Sequence, residues 1–466
     1  MNWIGREAEL AALKNEYDQS DFRMMVVYGR RRVGKTKLLN QFSKGKKTIF
    51  FTALESNADI NLQGMEDAVF SMDASVSIHP HFQSFEEAFL YIGEMAKQER
   101  LLVIIDEYPY LANADHGISS VLQKCIDNNW QDKNIFLILC GSSISFMEDE
   151  VLGNKSPLFG RRTSQMDVQP FDYVTASEFV PNYTPEEKAI VYGVTGGIAK
   201  YLELFDPGIS AYDNIKRLFF SETGYLFEEP HNLLRQEFRN VPLYNAIIDA
   251  IACGAVQMNE ISQKTGYSTA ALSQAIGRLI SVRLVRKDVP VLNEKNRRYT
   301  QYILCDGMFR FWYRFVNRAV NAISRGYGET YFEQQVLPEI HDYMALVFEE
   351  MCQDFTFRVG MEGKLSFIPM EVGKWRGNDD VLKSPSDIDV VGIDRRTKEA
   401  VIGECKFRNQ KVDAKEIEIL LNRMRLLSGY RVQDVLFFSL TGYENGARKI
   451  AQENRIQLFT LDQMYG

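Results

Sequence analysis

Gly29-Arg30-Arg31-Arg32-Val33-Gly34-Lys35-Thr36 sets a lysine and a hydroxyl directly behind the second of two glycines. Residues of these types in this order make a phosphate cradle. Backbone N–H groups wrap the phosphate oxygens, Lys35 neutralises charge on the β and γ groups, and the Thr36 hydroxyl joins the coordination of Mg²⁺. The chemistry expected is nucleoside triphosphate binding. Downstream, Leu101-Leu102-Val103-Ile104-Ile105-Asp106-Glu107 ends an apolar run in two carboxylates. Asp106 is expected to hold the Mg²⁺ shell and Glu107 to polarise the water that attacks the γ-phosphoryl group. Gly141-Ser142-Ser143 follows a further apolar run, so that Ser142 or Ser143 could read the γ-phosphate.

A second constellation lies near the C-terminus. Asp387-Ile388-Asp389-Val390-Val391 precedes Gly403-Glu404-Cys405-Lys406 across a charged turn. An acid on one strand facing an ExK pair on its hairpin partner suits metal-dependent phosphodiester cleavage. Asp389 and Glu404 would then hold Mg²⁺ or Mn²⁺, Lys406 would orient water or stabilise the phosphorane, and Glu349 would close the metal's outer shell. Asp387 shares a strand face with Asp389 and competes for the same role. A plain salt bridge from Glu404 to Lys406 or Lys398 is the alternative.

These groups need elements to place them. Met24–Tyr28 reads as a buried strand entering the phosphate loop, with a helix from Thr36 to Phe42 leaving it. Leu101–Ile105 and Ile135–Cys140 read as further buried parallel strands, which would bring Asp106, Glu107 and Ser142 to one sheet edge. In the C-terminal part a helix around Tyr343–Phe355 carries Glu349, strands cover 387–393 and 400–407, and a helix follows over 414–427.

Between these halves, the stretch from Gly254 to Thr300 is locally basic. Lys264, Arg278, Arg283, Arg286, Lys287, Lys295, Arg297 and Arg298 stand against Glu260, Asp288 and Glu294. A short helix ending at Gly266, a helix over Ala270–Ser281 opened by Ser268 or Thr269, and strands near Leu284–Lys287 and Arg297–Tyr302 compose a winged helix. Leu272, Ile276, Leu279 and Ile280 form its apolar stripe, leaving Ser273, Gln274 and Arg278 for a DNA groove, with Arg297 and Arg298 on phosphates. An internal lid with solvated charges is an equal reading. The crowded aromatics from Phe309 to Phe315 read as interdomain packing.

At 466 residues the chain suggests about two to four domains. Hydrophobic residues make up 45 % and charged ones 25 %, and no apolar run approaches the roughly 18 residues of a membrane span. With no signal-peptide pattern, a cytoplasmic protein is expected. The six cysteines form no CxxC pair and read as reduced thiols, and the His79-Pro80-His81 pair has no zinc spacing around it. A net charge of -8 argues against a uniformly basic nucleic-acid coat.

Taken together, the sequence resembles the archaeal-type AAA+/STAND P-loop ATPases that carry a C-terminal domain similar to PD-(D/E)xK nucleases. The residues that carry the likeness are Ile4–Leu10, Tyr28–Thr36, Ile105-Asp106-Glu107, Cys140–Ser143, Leu158–Arg162, Thr195–Leu202, Ile388–Val391 and Gly403–Lys406. The resemblance implies ATP as the nucleotide, Gly5-Arg6-Glu7 near the adenine, and Arg161 or Arg162 as an arginine finger. It also implies a lid contact around Gly196-Gly197, where Ala199 replaces the family's usual proline, and the nuclease motif lacks a proline directly before its Asp. The fold class expected is α/β: a P-loop ATPase core over 1–181, a helical lid over 182–250, a winged helix over 251–305, a helical linker over 306–335, and a nuclease-like domain over 336–466.

Two functions fit this reading. One is an ATP-driven enzyme that presents DNA to Asp389, Glu404 and Lys406. The other is a nucleotide-controlled switch, scaffold or transcription regulator whose C-terminal domain only binds a partner. A homo-oligomer would let the finger arginine reach a neighbour's γ-phosphate.

Overall fold

The computed structural model describes residues 3–71, 81–96, 99–294 and 297–466, so His79 and Pro80 lie outside the described residues, as does the side chain of Arg297. The chain divides into two compact units. The first is Met1–Phe171 with Ile198–Tyr201, and the second is Asp172–Gly197 with Leu202–Gly466. The expected end of the core at Pro181 therefore gives way to an earlier exit and a brief return.

In the first unit β1 (Arg23–Tyr28), β2 (Thr48–Thr52), β3 (Leu101–Asp106), β4 (Ile135–Gly141) and β5 (Ser164–Asp167) form one sheet in the order β2-β3-β4-β1-β5. Every pairing is parallel. Val103, Ile104, Leu137 and Ile138 are fully buried, as parallel strands covered on both faces require. Parallel register brings the C-terminal ends of β1, β3 and β4 to one edge: Tyr28 pairs with Gly141, and Ile105 with Leu139. The phosphate loop, Asp106 and Ser142 leave the sheet at that edge.

The second unit begins with helices. Among them Met258–Thr265 ends on Gly266 in the left-handed conformation, and Thr269–Ser281 is capped by the Ser268 side chain. The strands β6 (Val285–Asp288) and β7 (Gln301–Leu304) then pair antiparallel. Arg297–Tyr299, expected within a strand, forms a 3-10 turn instead, because pairing starts only at Asp288 with Gln301. Met308, Phe309, Phe311, Trp312, Tyr313, Phe315 and Val316 are all buried, and the Trp312 indole N–H donates to the Phe227 carbonyl.

A second sheet closes the chain: β8 (Glu371–Asp379), β9 (Ser384–Asp394), β10 (Glu399–Lys406), β11 (Arg431–Ser439) and β12 (Gln457–Thr460), in the order β12-β11-β10-β9-β8. The β8–β9 and β9–β10 pairs are antiparallel and the rest parallel. The long helix Ile340–Met361 packs on this sheet. The Val291 backbone N–H, from the connection after β6, donates to the Lys374 carbonyl on the outer edge of β8. Asp288 on β6 pairs with Arg376 on β8, and Arg286 with Glu350 on the long helix, so this hairpin is tied to both the sheet and the helix that packs on it.

Candidate functional site

The loop after β1 cannot be built without its first glycine. Gly29 has φ +147°, and a Cβ there would lie 2.5 Å from the Val168 carbonyl oxygen of the chain leaving β5. Gly34 sits at φ +97° and ends the loop as the N-cap of the helix Lys35–Ser43. Between them Arg32 takes a left-handed φ of 71°, and its carbonyl accepts from the Lys200 N–H of the returning segment. Arg31 donates to the Tyr110 hydroxyl, Val33 is buried, and Arg30 offers its carbonyl to Lys35.

Lys35 is buried and donates to the carbonyl oxygens of Gly29 and Arg30 at 2.8 and 3.0 Å. Burial lowers its pKa, and the nearby carboxylates of Glu107 and Asp106 work against that shift. The Thr36 hydroxyl donates to Asp106 Oδ2 at 2.7 Å, while Asp106 Oδ1 accepts the Glu107 N–H at 3.0 Å. Glu107 has φ 53° and ψ 42°, a strained turn for a non-glycine residue that swings its carboxylate toward β4. There Glu107 Oε2 accepts from the Ser142 hydroxyl at 2.9 Å and from its backbone N–H at 3.3 Å. Cys140, buried among these acids, has its pKa pushed well up by desolvation and then by Asp106, so the thiol stays protonated.

This donor set suits Mg²⁺ with a triphosphate. A hydroxyl and a carboxylate already meet at the sheet edge, and a buried ammonium is held by the loop's own carbonyls. Lys35, Thr36, Asp106, Glu107 and Ser142 are thus brought together. Gly5, at φ 63°, and Arg6 stand behind the loop. Arg6 donates to the carbonyls of Val33 and Gln169 at 3.0 and 2.7 Å, and its guanidinium lies 4.1 Å from the Phe171 ring centroid. This brace is one the sequence did not announce. Arg161 pairs through two nitrogens with Asp127 at 2.6 and 2.8 Å, whereas Arg162 makes a 3.3 Å bond to the Leu152 carbonyl.

In the second sheet, Asp389 on β9 and Glu404 on β10 are buried, with Glu349 facing them from the long helix. Lys406 pairs with Glu404 at 2.7 Å, and so does Arg423. Lys374 on β8, absent from the expected site, reaches Glu349, Asp389 and Asp387 at 3.0, 3.2 and 3.3 Å. Glu349 is pushed up to about 7, by burial first and then by the charge of Asp389, while its three acidic neighbours hold Lys374 firmly protonated. Among the described residues no group of three or more His, Cys, Asp or Glu is placed to hold a metal. The expected ligands Glu349, Asp389 and Glu404 therefore do not fit a bound metal in this arrangement, because an ammonium already stands among them.

The class that the parallel sheet and its glycine loop define is an α/β P-loop NTPase. A Walker-type ATPase of Pyrococcus abyssi shares this fold, with a TM-score of 0.52 at 20 % identity over 67 % of this chain and 96 % of that one. More particularly, residues 3–205 match a family described as an ATPase domain predominantly from Archaea. Residues 312–417 match a family described as archaeal and bacterial proteins of unknown function. An uncharacterised protein of Methanocaldococcus jannaschii is 27 % identical over 430 residues, 92 % of each chain. An uncharacterised ATP-binding protein of the same organism is 38 % identical over 45 residues, 10 % of this chain and 76 % of that one. No helix among the described residues is long and apolar enough to cross a membrane.

Proposed function

We propose that the first unit binds ATP and hydrolyses it, and that its nucleotide state controls engagement of DNA by the second unit. The observation that carries the proposal is the chain of contacts from Thr36 to Asp106, Glu107 and Ser142 around the end of β3, with the Lys35 ammonium beside it. Lys35 neutralises the β and γ phosphates, and the backbone of residues 29–34 cradles them. Thr36 and Asp106 would hold Mg²⁺, which when bound would supply charge neutralisation on the transferring phosphoryl group. Glu107 orients and polarises the attacking water once its carboxylate leaves Ser142, and the freed Ser142 hydroxyl turns to the γ-phosphate. Arg162, less engaged on its own chain than Arg161, is the finger arginine, acting across a homo-oligomer.

In the second unit the proposal is a winged helix joined to a sheet of nuclease-like topology. Thr269, Ala270, Ser273, Gln274, Gly277 and Arg278 form an exposed face of small and polar residues on one helix, and nothing lies within 4 Å of a Cβ at Gly277, so a major groove could approach this face closely. A second reading, a switch that engages a partner protein, is favoured by the wing being tied down through Asp288 and Arg286. Hydrolysis of ATP by the wild type, by Lys35→Ala and by Glu107→Gln tests the first part. Turnover is expected only in the wild type, with ATP still bound by Glu107→Gln, and unimpaired turnover in Glu107→Gln would overturn it. Duplex binding with and without ATP tests the second. Arg278→Glu should abolish binding that the wild type shows, and a wild type that binds no duplex in either state leaves the partner-protein switch.

A further inference from the structure

Four carboxylates from three elements converge at the second sheet: Glu349 from the helix Ile340–Met361, Asp387 and Asp389 from β9, and Glu404 from β10. Cations answer them from three directions. Lys406 and Arg423 take Glu404, Arg423 also lies 3.9 Å from Asp387, and Lys374 contacts the other three. We propose that Lys374 is the resident cation of this cluster, its ammonium filling the position a divalent metal would need and closing the sheet to metal-dependent phosphodiester chemistry. The inference stands on this sheet's side chains alone and is independent of nucleotide binding in the first unit.

The backbone aims Lys374 at that position. Pairing between β8 and β9 slips at one point: Gly373 stands opposite Val391 and Trp375 opposite Ile388, so Lys374 faces both Asp389 and Val390. A bulge of this kind redirects the side chains beside it. Here it lets one ammonium lie within hydrogen-bonding distance of three carboxylates. The other edge of β8 is held as well, by Val291 N–H on the Lys374 carbonyl and by the Asn293 side chain on the Arg376 carbonyl at 2.6 Å. Lys374 is thus fixed on both sides of its strand.

Contacts near 3 Å are those of a charge-assisted hydrogen bond. Mg²⁺ needs oxygens at about 2.0–2.1 Å in near-octahedral array, so it cannot share the space with the ammonium. The remaining carboxylate oxygens offer little. Asp389 Oδ2 accepts the Cys405 N–H at 3.1 Å, and the two oxygens of Glu404 are taken by Lys406 and Arg423. Of the three acids around Lys374, Arg423 reaches only Asp387, at 3.9 Å, so removing the charge of Lys374 while leaving the acids would open the position it now fills.

Titration of nucleotide-free, full-length protein with Mn²⁺, followed by loss of the free-ion EPR signal, tests this. The wild type is expected to take up no Mn²⁺ that depends on Asp389, and Lys374→Arg should behave alike. Lys374→Gln is expected to take up about one Mn²⁺ per chain, with a melting temperature that rises with Mn²⁺. Both effects should vanish in Lys374→Gln/Asp389→Asn, which separates this cluster from the Thr36–Asp106 pair. Should Lys374→Gln fail to fold, Lys374→Gln/Glu349→Gln removes one charge of each sign and should still take up Mn²⁺, more weakly for the lost carboxylate. Uptake by the wild type that Asp389→Asn abolishes would overturn the proposal, as would absence of uptake in a folded Lys374→Gln or in the double variant.

Discussion

Thr36→Ala removes the one side-chain hydroxyl that meets Asp106 Oδ2, at 2.7 Å. Asp106 is 1 % exposed, so the deletion leaves a charged oxygen short of a partner in a nearly dry position. An unmatched buried acceptor costs about 1–3 kcal/mol. The lower part of that range applies here, because Thr36 itself is exposed and water can follow the lost hydroxyl in part. At about 1.4 kcal/mol per tenfold, a loss of about 1–2 kcal/mol should lower the folded-to-unfolded ratio of the nucleotide-free protein roughly 5- to 30-fold. Thr36→Ser keeps the hydroxyl and loses only an exposed methyl, so it should unfold in urea almost as the wild type does. Hydrolysis should follow the same order, with Thr36→Ser active and Thr36→Ala nearly inactive at saturating ATP and Mg²⁺. If Thr36→Ala matched the wild type in urea, the bond to Asp106 would carry no stability. If Thr36→Ser were as inactive as Thr36→Ala, the hydroxyl would not be the acting group.

Two further outcomes follow from ionisable groups. Glu349 has its folded pKa raised from 4.5 to about 7, so the folded state favours its protonated form; that advantage is full below the unfolded value and is lost as pH rises through about 7. Glu349→Gln, which mimics the neutral form, should therefore melt with the wild type at low pH and gain on the order of 1–3 kcal/mol above pH 8, a gap that thermal melts across pH would reveal and whose absence would refute the argument. Arg161 and Asp127 are 25 % and 33 % exposed, and such a pair is worth about 0.2–1 kcal/mol. Arg161→Ala and Asp127→Ala should each cost no more than that and leave hydrolysis within about twofold of wild type, whereas a loss approaching the 10³-fold associated with a finger would show that Arg161 leaves Asp127 to act.

The nucleotide edge was legible because its information is local. Leu101–Ile105 and Ile135–Cys140 are short, unbroken apolar runs of the kind buried parallel strands show, and a glycine loop between strand and helix leaves little freedom. Ser142 and Ser143 stood as alternatives in the sequence, and the bond from Ser142 to Glu107 depends on strand register that no local pattern encodes. Lys374 was not legible. Glu371–Asp379 contains two glycines and alternates charge with small residues, so it lacks the apolar signature of a strand, and its lysine becomes informative only once the bulge on β9 sets it across from Asp389. The role of Arg6 as a brace was hidden for a similar reason: its acceptors, Val33 and Gln169, are backbone carbonyls, which any residue type could supply.

Residues 198–201 also set an order of events during synthesis. The nucleotide unit draws its last segment from beyond a stretch of 26 residues, Asp172–Gly197, that belongs to the other unit. Until that stretch has emerged from the ribosome, Arg32 lacks the Lys200 N–H on its carbonyl, and Gly34 lacks Ala199 beside it. A nascent chain ending at Phe171 thus holds a complete five-stranded sheet with an unfinished phosphate loop. Domains generally fold as units as they emerge, so competence to bind nucleotide should lag behind the folding of the sheet that carries it. Fragments cut at Phe171 and at Phe205 would place that lag on either side of the same few residues.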